Sequence, residues 1–540
     1  MEVLDLQNIN LYILIVLAVV NATVLCFVSS KLFQIMQLAG YKFKGYSSWL
    51  KDTKIKFFGR LIMLSFLSLI SVLVTNALLD GFGGYYSYLG LIFYFYFCIV
   101  FIINMAKMPQ KTPLKQTRRM NRLIITTSIV IMLITFFSTT ILTEYVPFVK
   151  YGIVVITPIF MPLIVPFANI LNAPIEALIR HGYIKRAKKK LAKMPNLIKI
   201  GITGSYGKTT TKHILNVILS KKYSVCMSPH SFNTPMGLTK VVLKYLKKDN
   251  QVLIAEMGAK QVGDIKYLCN LIQPKHAIIT SVGSQHLLTF KSEENIAKTK
   301  YELVEAVNGI VVFNGNSEGA VRLYNKCNKE KYLTTTENQE CFCQVKNIKT
   351  TESGSEFVLC LDKQEILCNT KIIGKHNIED IALASVMAYK LEVPLNLIAQ
   401  AISELKPMAH RMEIIKSKGL TIIDNAYNSS VESSKSALNT LSLFTSGNKI
   451  VVTPGIVEMG EKEREVNINF GEDIAKVANK VIIVNNANKD SISQGLINSN
   501  FNPENIFFAE SLNDAREVLK NITASGDVVL FENDLPDNYT

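Results

Sequence analysis

The sequence predicts an α-helical membrane domain plus α/β: a multi-span N-terminal third, then a central P-loop domain and a smaller Rossmann-like domain at the C-terminus. Three observations carry that prediction. Five apolar runs crowd into the first third, the excess of positive charge lies in the same third, and from residue 197 onward strand patterns alternate with helix patterns around a glycine-rich loop. Such alternation builds a mainly parallel sheet with its site at the strand carboxyl ends.

The chain has 540 residues, 49% of them hydrophobic and 19% charged, and a mean hydropathy of +0.22. That length suits about three or four domains. A formal charge of +16 would fit a nucleic-acid binder, but residues 1–195 hold 21 Lys+Arg against 6 Asp+Glu and the remainder 38 against 37. Cationic loops between membrane spans account for that imbalance, so nucleic acid is not an expected partner. The nine cysteines are odd in number and include no CxxC pair, which speaks for reduced thiols rather than a disulfide framework. Five fall between Cys327 and Cys368, without the paired short spacing of a structural zinc site.

The first apolar run, 11–30, has the length of a bilayer-crossing helix, and similar runs follow at 61–79, 86–106, 123–143 and 151–171. Glu2 and Asp5 precede the first run, where a signal peptide would carry basic residues, so this run is expected to be retained. The loop after it holds Lys31, Lys42, Lys44, Lys51, Lys54, Lys56 and Arg60, whereas 81–85 has no base. Residues 107–122 are again strongly basic, and the next loop has only Glu144 and Lys150. This alternation predicts a multi-pass protein of the cell membrane with its N-terminus outside and everything after residue 175 cytoplasmic. Pro158, Pro162 and Pro166 make the fifth run irregular, so residues 1–175 are expected to form four or five transmembrane helices. No Asp, Glu, Lys or Arg interrupts a run, which favours an anchor over an ion pathway. A basic juxtamembrane linker helix, 176–195, would lie along an anionic leaflet, with membrane lipid as its partner.

The central domain, 196–407, opens on LIKIGITGSYGKTTTKHILNVILS. Gly204, Ser205 and Gly207 form a turn whose N–H groups close around phosphates at a helix N-terminus; Lys208 neutralises the outer phosphates, and Thr209, with Thr210 beside it, offers a hydroxyl to Mg2+. The strict motif asks for glycine where Ile202 stands, yet the strand before and the helix after satisfy the mechanism. A second strand, 252–255, ends in Glu256, an oxygen donor of the kind Mg2+ shares with phosphates. A third, 276–280, leads to His286, and the helix beyond carries Lys298 and Lys300. The C-terminal domain, 408–540, has strand patterns at 420–423, 450–452, 481–484 and 528–531.

Seven segments in fixed order resemble the Mur ligase family: TGSYGKTTT, FNTPMG at 232–237, AEMGA, QHLLTF with AKTKYE, GKHN at 374–377, AHRME at 409–413 and DNAYNS at 424–429. The resemblance runs from about residue 196 to the C-terminus and is strongest to the D-alanyl-D-alanine-adding branch. It implies central and C-terminal domains of Mur ligase type and an ATP-dependent amide ligation in cell-wall precursor synthesis. In such a reaction a substrate carboxylate takes the γ-phosphate of ATP as an acyl phosphate, and the amine of an amino acid or dipeptide then displaces phosphate. Positioning and charge stabilisation carry that chemistry, with no protein nucleophile. Carried over residue by residue, the resemblance makes Lys208, His286, Lys300 and Arg411 the catalytic set. Thr209, Glu256, His286 and a carbamylated Lys300 would hold Mg2+. Asn377 would meet adenine, Asn425 the ribose and Arg411 a phosphate, while Asn233, Thr234, Tyr427 and Asn428 would face the substrate.

The departures from the family pattern are specific. Asn425 stands where the family has Asp, with Asp424 just before it, so either Asn425 holds ribose or the register shifts by one. Leu288 replaces an acidic residue, Ser430-Val431 an Asn-Pro, and Asp380 a frequent Asn. The apolar spans occupy the place of the family's UDP-binding domain. Either they anchor an enzyme that takes a UDP-linked precursor, or they serve a polyprenyl-linked one. The rival readings are a ligase of another lipid-linked glycan or peptide and a non-catalytic ATP-binding membrane sensor.

Overall fold

The computed structural model describes residues 2–52, 56–79, 87–107, 113–140, 147–229, 231–283, 287–337, 341–417, 419–427, 430–457 and 459–534. The loop 81–85 and Glu144, used above for topology, lie outside the described residues, as do His286 and Asn428. The chain divides into two compact units, Met1–His181 and Gly182–Leu535.

The first unit is helical: α1 Glu2–Val28, α2 Ser30–Leu38, α3 Phe43–Asp52, α4 Lys56–Leu79, α5 Ser87–Ala106, α6 Arg118–Thr140 and α7 Pro147–Ala192. Stretches of α1, α4, α5, α6 and α7 are long and apolar enough to cross a membrane. Phe66, Ile92 and Phe167 are exposed while Leu25, Leu64, Tyr94 and Val165 are buried, so apolar side chains point outward as well as inward. That pattern is compatible with helices that cross a membrane. Inside, Asn21 donates to Thr135 Oγ1 and accepts from the Tyr94 hydroxyl, each at 2.8 Å, tying α1, α5 and α6 together without competing water.

The irregular fifth run is one unbroken helix. α7 spans 46 residues and contains Pro158, Pro162, Pro166 and Pro174. A proline removes the donor for the carbonyl four residues back, and a helix in hydrocarbon survives that only where another donor is found. Tyr46 supplies one: its hydroxyl donates to Pro162 O at 3.0 Å, the carbonyl that Pro166 cannot serve. The basic stretch beginning at residue 176 is, as far as Ala192, the continuation of this helix.

The second unit holds two sheets. The first comprises β1 Ile198–Thr203, β2 Val225–Met227, β3 Val252–Glu256, β4 His276–Ile279, β5 Val311–Asn314, β6 Lys331–Thr335, β7 Cys343–Thr351, β8 Gly354–Leu361 and β9 Gln364–Thr370, in the order β2-β3-β1-β4-β5-β6-β7-β8-β9. Pairing is parallel from β2 to β7 and antiparallel beyond. β3, β4 and β5 are buried throughout because helices cover both faces. On one face α8 Lys208–Leu219 and the helix Lys375–Lys390 enclose Ile200, Ile254 and Ile381. On the other, Asp264–Ile272 and Glu293–Ala306 enclose Leu253, Ile279 and Leu303, joined by Ala187 and Leu191 from the end of α7. Lys190 Nζ there donates to Leu246 O at 2.6 Å.

The second sheet comprises β10 Glu413–Ser417, β11 Leu420–Asn425, β12 Lys449–Thr453, β13 Lys480–Val484, β14 Ile506–Ala509 and β15 Val528–Glu532, in the order β10-β11-β15-β12-β13-β14. Only β10 runs antiparallel to its neighbour. The four strands read from the sequence are β11, β12, β13 and β15.

Candidate functional site

β1 lies between β3 and β4, with Ile202 opposite Glu256 and Thr203 opposite Ile279. The loop that follows therefore emerges where three strands end. A Cβ on Gly204 would lie 2.0 Å from Thr280 Oγ1, so only glycine lets the loop pass the end of β4. Gly207 has φ +79 and caps α8 from the left-handed region, which favours glycine. Ser205 N donates to Ser281 O at 3.0 Å and Tyr206 N to Ser281 Oγ at 2.8 Å. Lys208 Nζ folds back onto Gly204 O and Ser205 O, both at 2.7 Å. Burial brings the Lys208 amine down to about 8, against the opposing pull of Glu256. The next residues, Thr209 and Thr210, are buried in the first turn of α8.

Glu256 closes the floor of this cleft. Its Oε2 accepts from Lys212 Nζ at 2.9 Å and Thr209 Oγ1 at 3.0 Å, and its Oε1 from Asn233 Nδ2 at 3.1 Å. Burial opposes ionisation of Glu256, but the Lys212 and Lys208 charges and the Asn233 bond outweigh it and hold the carboxyl below its ordinary value. A hydroxyl and a charged carboxylate side by side are the oxygen donors that Mg2+ combines with phosphate and water, so Thr209 and Glu256 fit that ion. Among the described residues no three His, Cys, Asp or Glu side chains converge, and the expected ligand His286 lies outside them.

The second sheet reaches the same place. Arg411 Nη2 donates to Thr209 Oγ1 at 3.2 Å, and its guanidinium stacks 4.5 Å over the Tyr427 ring. The Tyr427 and Ser231 hydroxyls are 2.5 Å apart. Thr234 is exposed nearby and caps the helix Pro235–Lys240, accepting from Gly237 N at 3.3 Å. Lys300 is buried on the helix Glu293–Ala306, and burial, reinforced by the charge of Lys208, pushes its amine well below the ordinary lysine range. Phosphate loop, Glu256, Asn233, Arg411 and Tyr427 are thus brought together.

Two expected nucleotide contacts are engaged elsewhere. Asn377 is buried in the first turn of Lys375–Lys390 and donates to Ile373 O at 2.7 Å. Asn425 is buried and donates to Glu532 Oε2 at 2.8 Å and Ser433 Oγ at 3.2 Å, whereas Asp424 pairs with exposed His410 at 2.7 Å. Both N–H groups of the Asn425 amide therefore bond inside its own domain.

One residue of this cleft, Lys212, escapes the sequence reading, and another, Asp380, enters it only as a departure from the family pattern. Lys212 is fully buried against Glu256; its spacing of four from Lys208, on one helix face, was the available signal. Asp380 Oδ1 accepts from Thr211 at 2.8 Å and lies where a Cβ on Gly207 would come within 2.5 Å, while its Oδ2 is buried with no hydrogen-bond partner among the described residues. Burial, reinforced by Glu379, raises the Asp380 carboxyl well above its ordinary value. A carboxyl whose charged form is disfavoured is close to an amide in shape, so Asp380 fits a place where Asn is common.

Comparison with known proteins covers both sheets. The Mur ligase middle domain matches residues 202–388 and the Mur ligase glutamate ligase domain residues 410–532. The UDP-N-acetylmuramoyl-tripeptide–D-alanyl-D-alanine ligase of Bacillus subtilis is 28% identical over 337 residues, 62% of this chain and 72% of that protein. Its namesake from Buchnera aphidicola subsp. Baizongia pistaciae is 29% identical over 271 residues, 50% of this chain and 58% of that protein. This chain thus spans 58% to 72% of the length of these two relatives. The MurF ligase of Thermotoga maritima, solved in complex with ADP, has a TM-score of 0.59 at 25% identity, over 66% of this chain and 80% of that one. The two matched domains account for the phosphate loop, the partner sheet and the bridge between them, and the chain belongs to the Mur ligase family of ligases.

Proposed function

We propose that the protein is a membrane-anchored ATP-dependent ligase of cell-wall precursor synthesis, joining a precursor carboxylate to an amino acid or to a dipeptide such as D-alanyl-D-alanine. The observation that carries this reading is the Arg411 to Thr209 bond, which lays a cation from the second sheet over the phosphate loop of the first. Gly204, Gly207 and Lys208 are suited to the ATP phosphates. Arg411 is suited to the charge that develops as the γ-phosphoryl group moves, and closure of the two sheets excludes water from the acyl phosphate. Asn233, Thr234 and Tyr427 would orient the incoming substrates. Mg2+ held by Thr209 and Glu256 would supply neutralisation of phosphate charge. A neutral Lys300 amine is the form that adds CO2, releasing a proton, and the resulting carbamate would face that ion in place of a cation.

The five apolar helices support a multi-pass membrane protein, and the charge pattern supports an outside N-terminus with cytoplasmic ligase domains. Labelling of engineered cysteines near residue 440 by an impermeant reagent in intact cells would refute that topology. The test of function is phosphate release by the full-length protein in nanodiscs, with D-alanyl-D-alanine and either UDP-N-acetylmuramoyl-tripeptide or its polyprenyl-linked counterpart, products identified by mass spectrometry. Turnover of the soluble precursor makes the helices an anchor; turnover of the lipid-linked form alone makes them part of acceptor recognition. ATP binding without amide formation from any amine would turn the reading to a sensor.

A further inference from the structure

α6 and α7 enclose a groove of about 680 Å3, lined by residues that include Val130, Ile134, Thr157, Phe160, Leu163 and Phe167. Its walls are almost wholly apolar, and its size falls within the roughly 300–1,000 Å3 of sites that hold one small molecule. Along the same helix pair the neighbours turn polar. Thr126 Oγ1 donates to Asn172 Oδ1 at 2.9 Å, and Arg122 Nε to Glu176 Oε1 at 2.6 Å. Arg119 Nε stands 3.8 Å from Glu176 Oε2 and Arg180 lies one turn further along α7. Arg119 and Arg122 thus both face the Glu176 carboxylate, and Arg180 follows on the helix that carries it.

The two ends are in line. Arg122, Thr126, Val130 and Ile134 recur every four residues along α6, one row on a helix, and the eight residues from Arg122 to Val130 rise about 12 Å. The Arg119 guanidinium lies 3.8 Å over the Tyr41 ring, which fixes its plane. Its Nε is buried without a hydrogen-bond partner among the described residues. The Arg119 and Arg122 side chains are 41% and 30% exposed, so both can reach an incoming anion. Planar, forked donors such as the half-exposed Arg119 and Arg122 guanidinium groups suit a phosphate, and a single apolar groove beside them suits one chain.

We infer that the α6–α7 groove binds a single-chain isoprenoid phosphate or diphosphate, its head on Arg119, Arg122 and Arg180 and its chain along Val130, Ile134 and Leu163. This deepens the ligase reading, on which it rests only for naming the lipid as carrier of the acceptor. Binding is measured without turnover, so the two stand or fall separately.

The experiment titrates a fluorescent farnesyl diphosphate analogue into full-length protein in phosphatidylcholine nanodiscs and follows anisotropy. Saturable binding is expected, displaced by farnesyl diphosphate and not by equal concentrations of inorganic diphosphate, UDP or phosphatidylglycerol. The triple variant Arg119→Gln, Arg122→Gln, Glu176→Gln should weaken it about tenfold or more. Leu163→Trp, on an exposed apolar position, should do the same by filling the groove, while ATP binding of both variants stays at the wild-type level as the control for folding. Equal displacement by inorganic diphosphate, equal displacement by phosphatidylglycerol, or wild-type affinity in either well-folded variant overturns the inference.

Discussion

Arg411 and Thr209, 202 positions apart in sequence, are joined by a 3.2 Å hydrogen bond between a guanidinium of one sheet and the hydroxyl behind the phosphate loop of the other. The arginine is thus held in place by the domain it acts upon. Since Arg411 reaches the phosphate loop from the other sheet, Arg411→Ala should lower the turnover number of ligation about 100- to 1,000-fold. Nucleotide affinity, set largely by the loop, should change far less. Steady-state phosphate release together with calorimetric titration of ADP separates the two quantities. Equal losses in both would assign Arg411 to ground-state binding.

Lys212 and Glu256 form an ion pair with both side chains almost wholly buried. Removing one partner strands the other, so Lys212→Met should destabilise the fold by about 3–5 kcal/mol. The double variant Lys212→Met, Glu256→Gln should recover most of that stability and still fail to ligate. Denaturant unfolding and ligation assays on the same preparations decide this. Recovery of activity in the double variant would remove Glu256 from the metal site.

Lys300→Ala should reduce turnover about 10- to 100-fold, the usual effect of losing a group that supports a metal site. Added formate or acetate should restore part of it by placing a carboxylate where the carbamate would sit. Lys300→Arg should be as impaired and insensitive to the added acid. Turnover of Lys300→Ala at the wild-type rate would exclude the carbamate.

Asp380 gives a pH dependence of definite sign. Its carboxyl is raised in the fold, so the unfolded chain, titrating near about 3.9, loses its proton first. The stabilisation is complete below that value and declines as pH rises towards and through the folded value. Asp380→Asn keeps the shape and abolishes the titration. It should therefore melt higher than wild type at pH 8, with the difference shrinking towards pH 4. Parallel melting profiles across that range would show that Asp380 is already ionised in the fold.

Local chemistry was legible in the sequence and partnership was not. Gly204, Gly207, Lys208 and Thr209 announce themselves because strand, turn and helix are contiguous. Glu256 is readable as the last residue of a buried strand. Arg411 and Tyr427 emerge only through family resemblance, because the loop that Tyr427 meets at Ser231 lies 196 positions away. Lys212 reads as an ordinary helical lysine until β3 brings a carboxylate beneath it. Asn425 reads as a ribose contact, and only the fold shows that its amide also bonds Glu532 of β15. The continuity of α7 was hidden for another reason: prolines at such spacing break a helix in water, and the compensating Tyr46 is far away in sequence.

That helix has a mechanical consequence. Pro158, Pro162 and Pro166 recur every four residues, while the helix turns every 3.6 residues, so these three missing rungs drift by only about 80° and lie towards one side. A rod deprived of cross-links on one side resists bending unequally: it yields in the plane of that side and stays firm at right angles to it. The Tyr46 hydroxyl works as a splint at Pro162. α7 is thereby most pliant along its apolar middle and most rigid over its basic end.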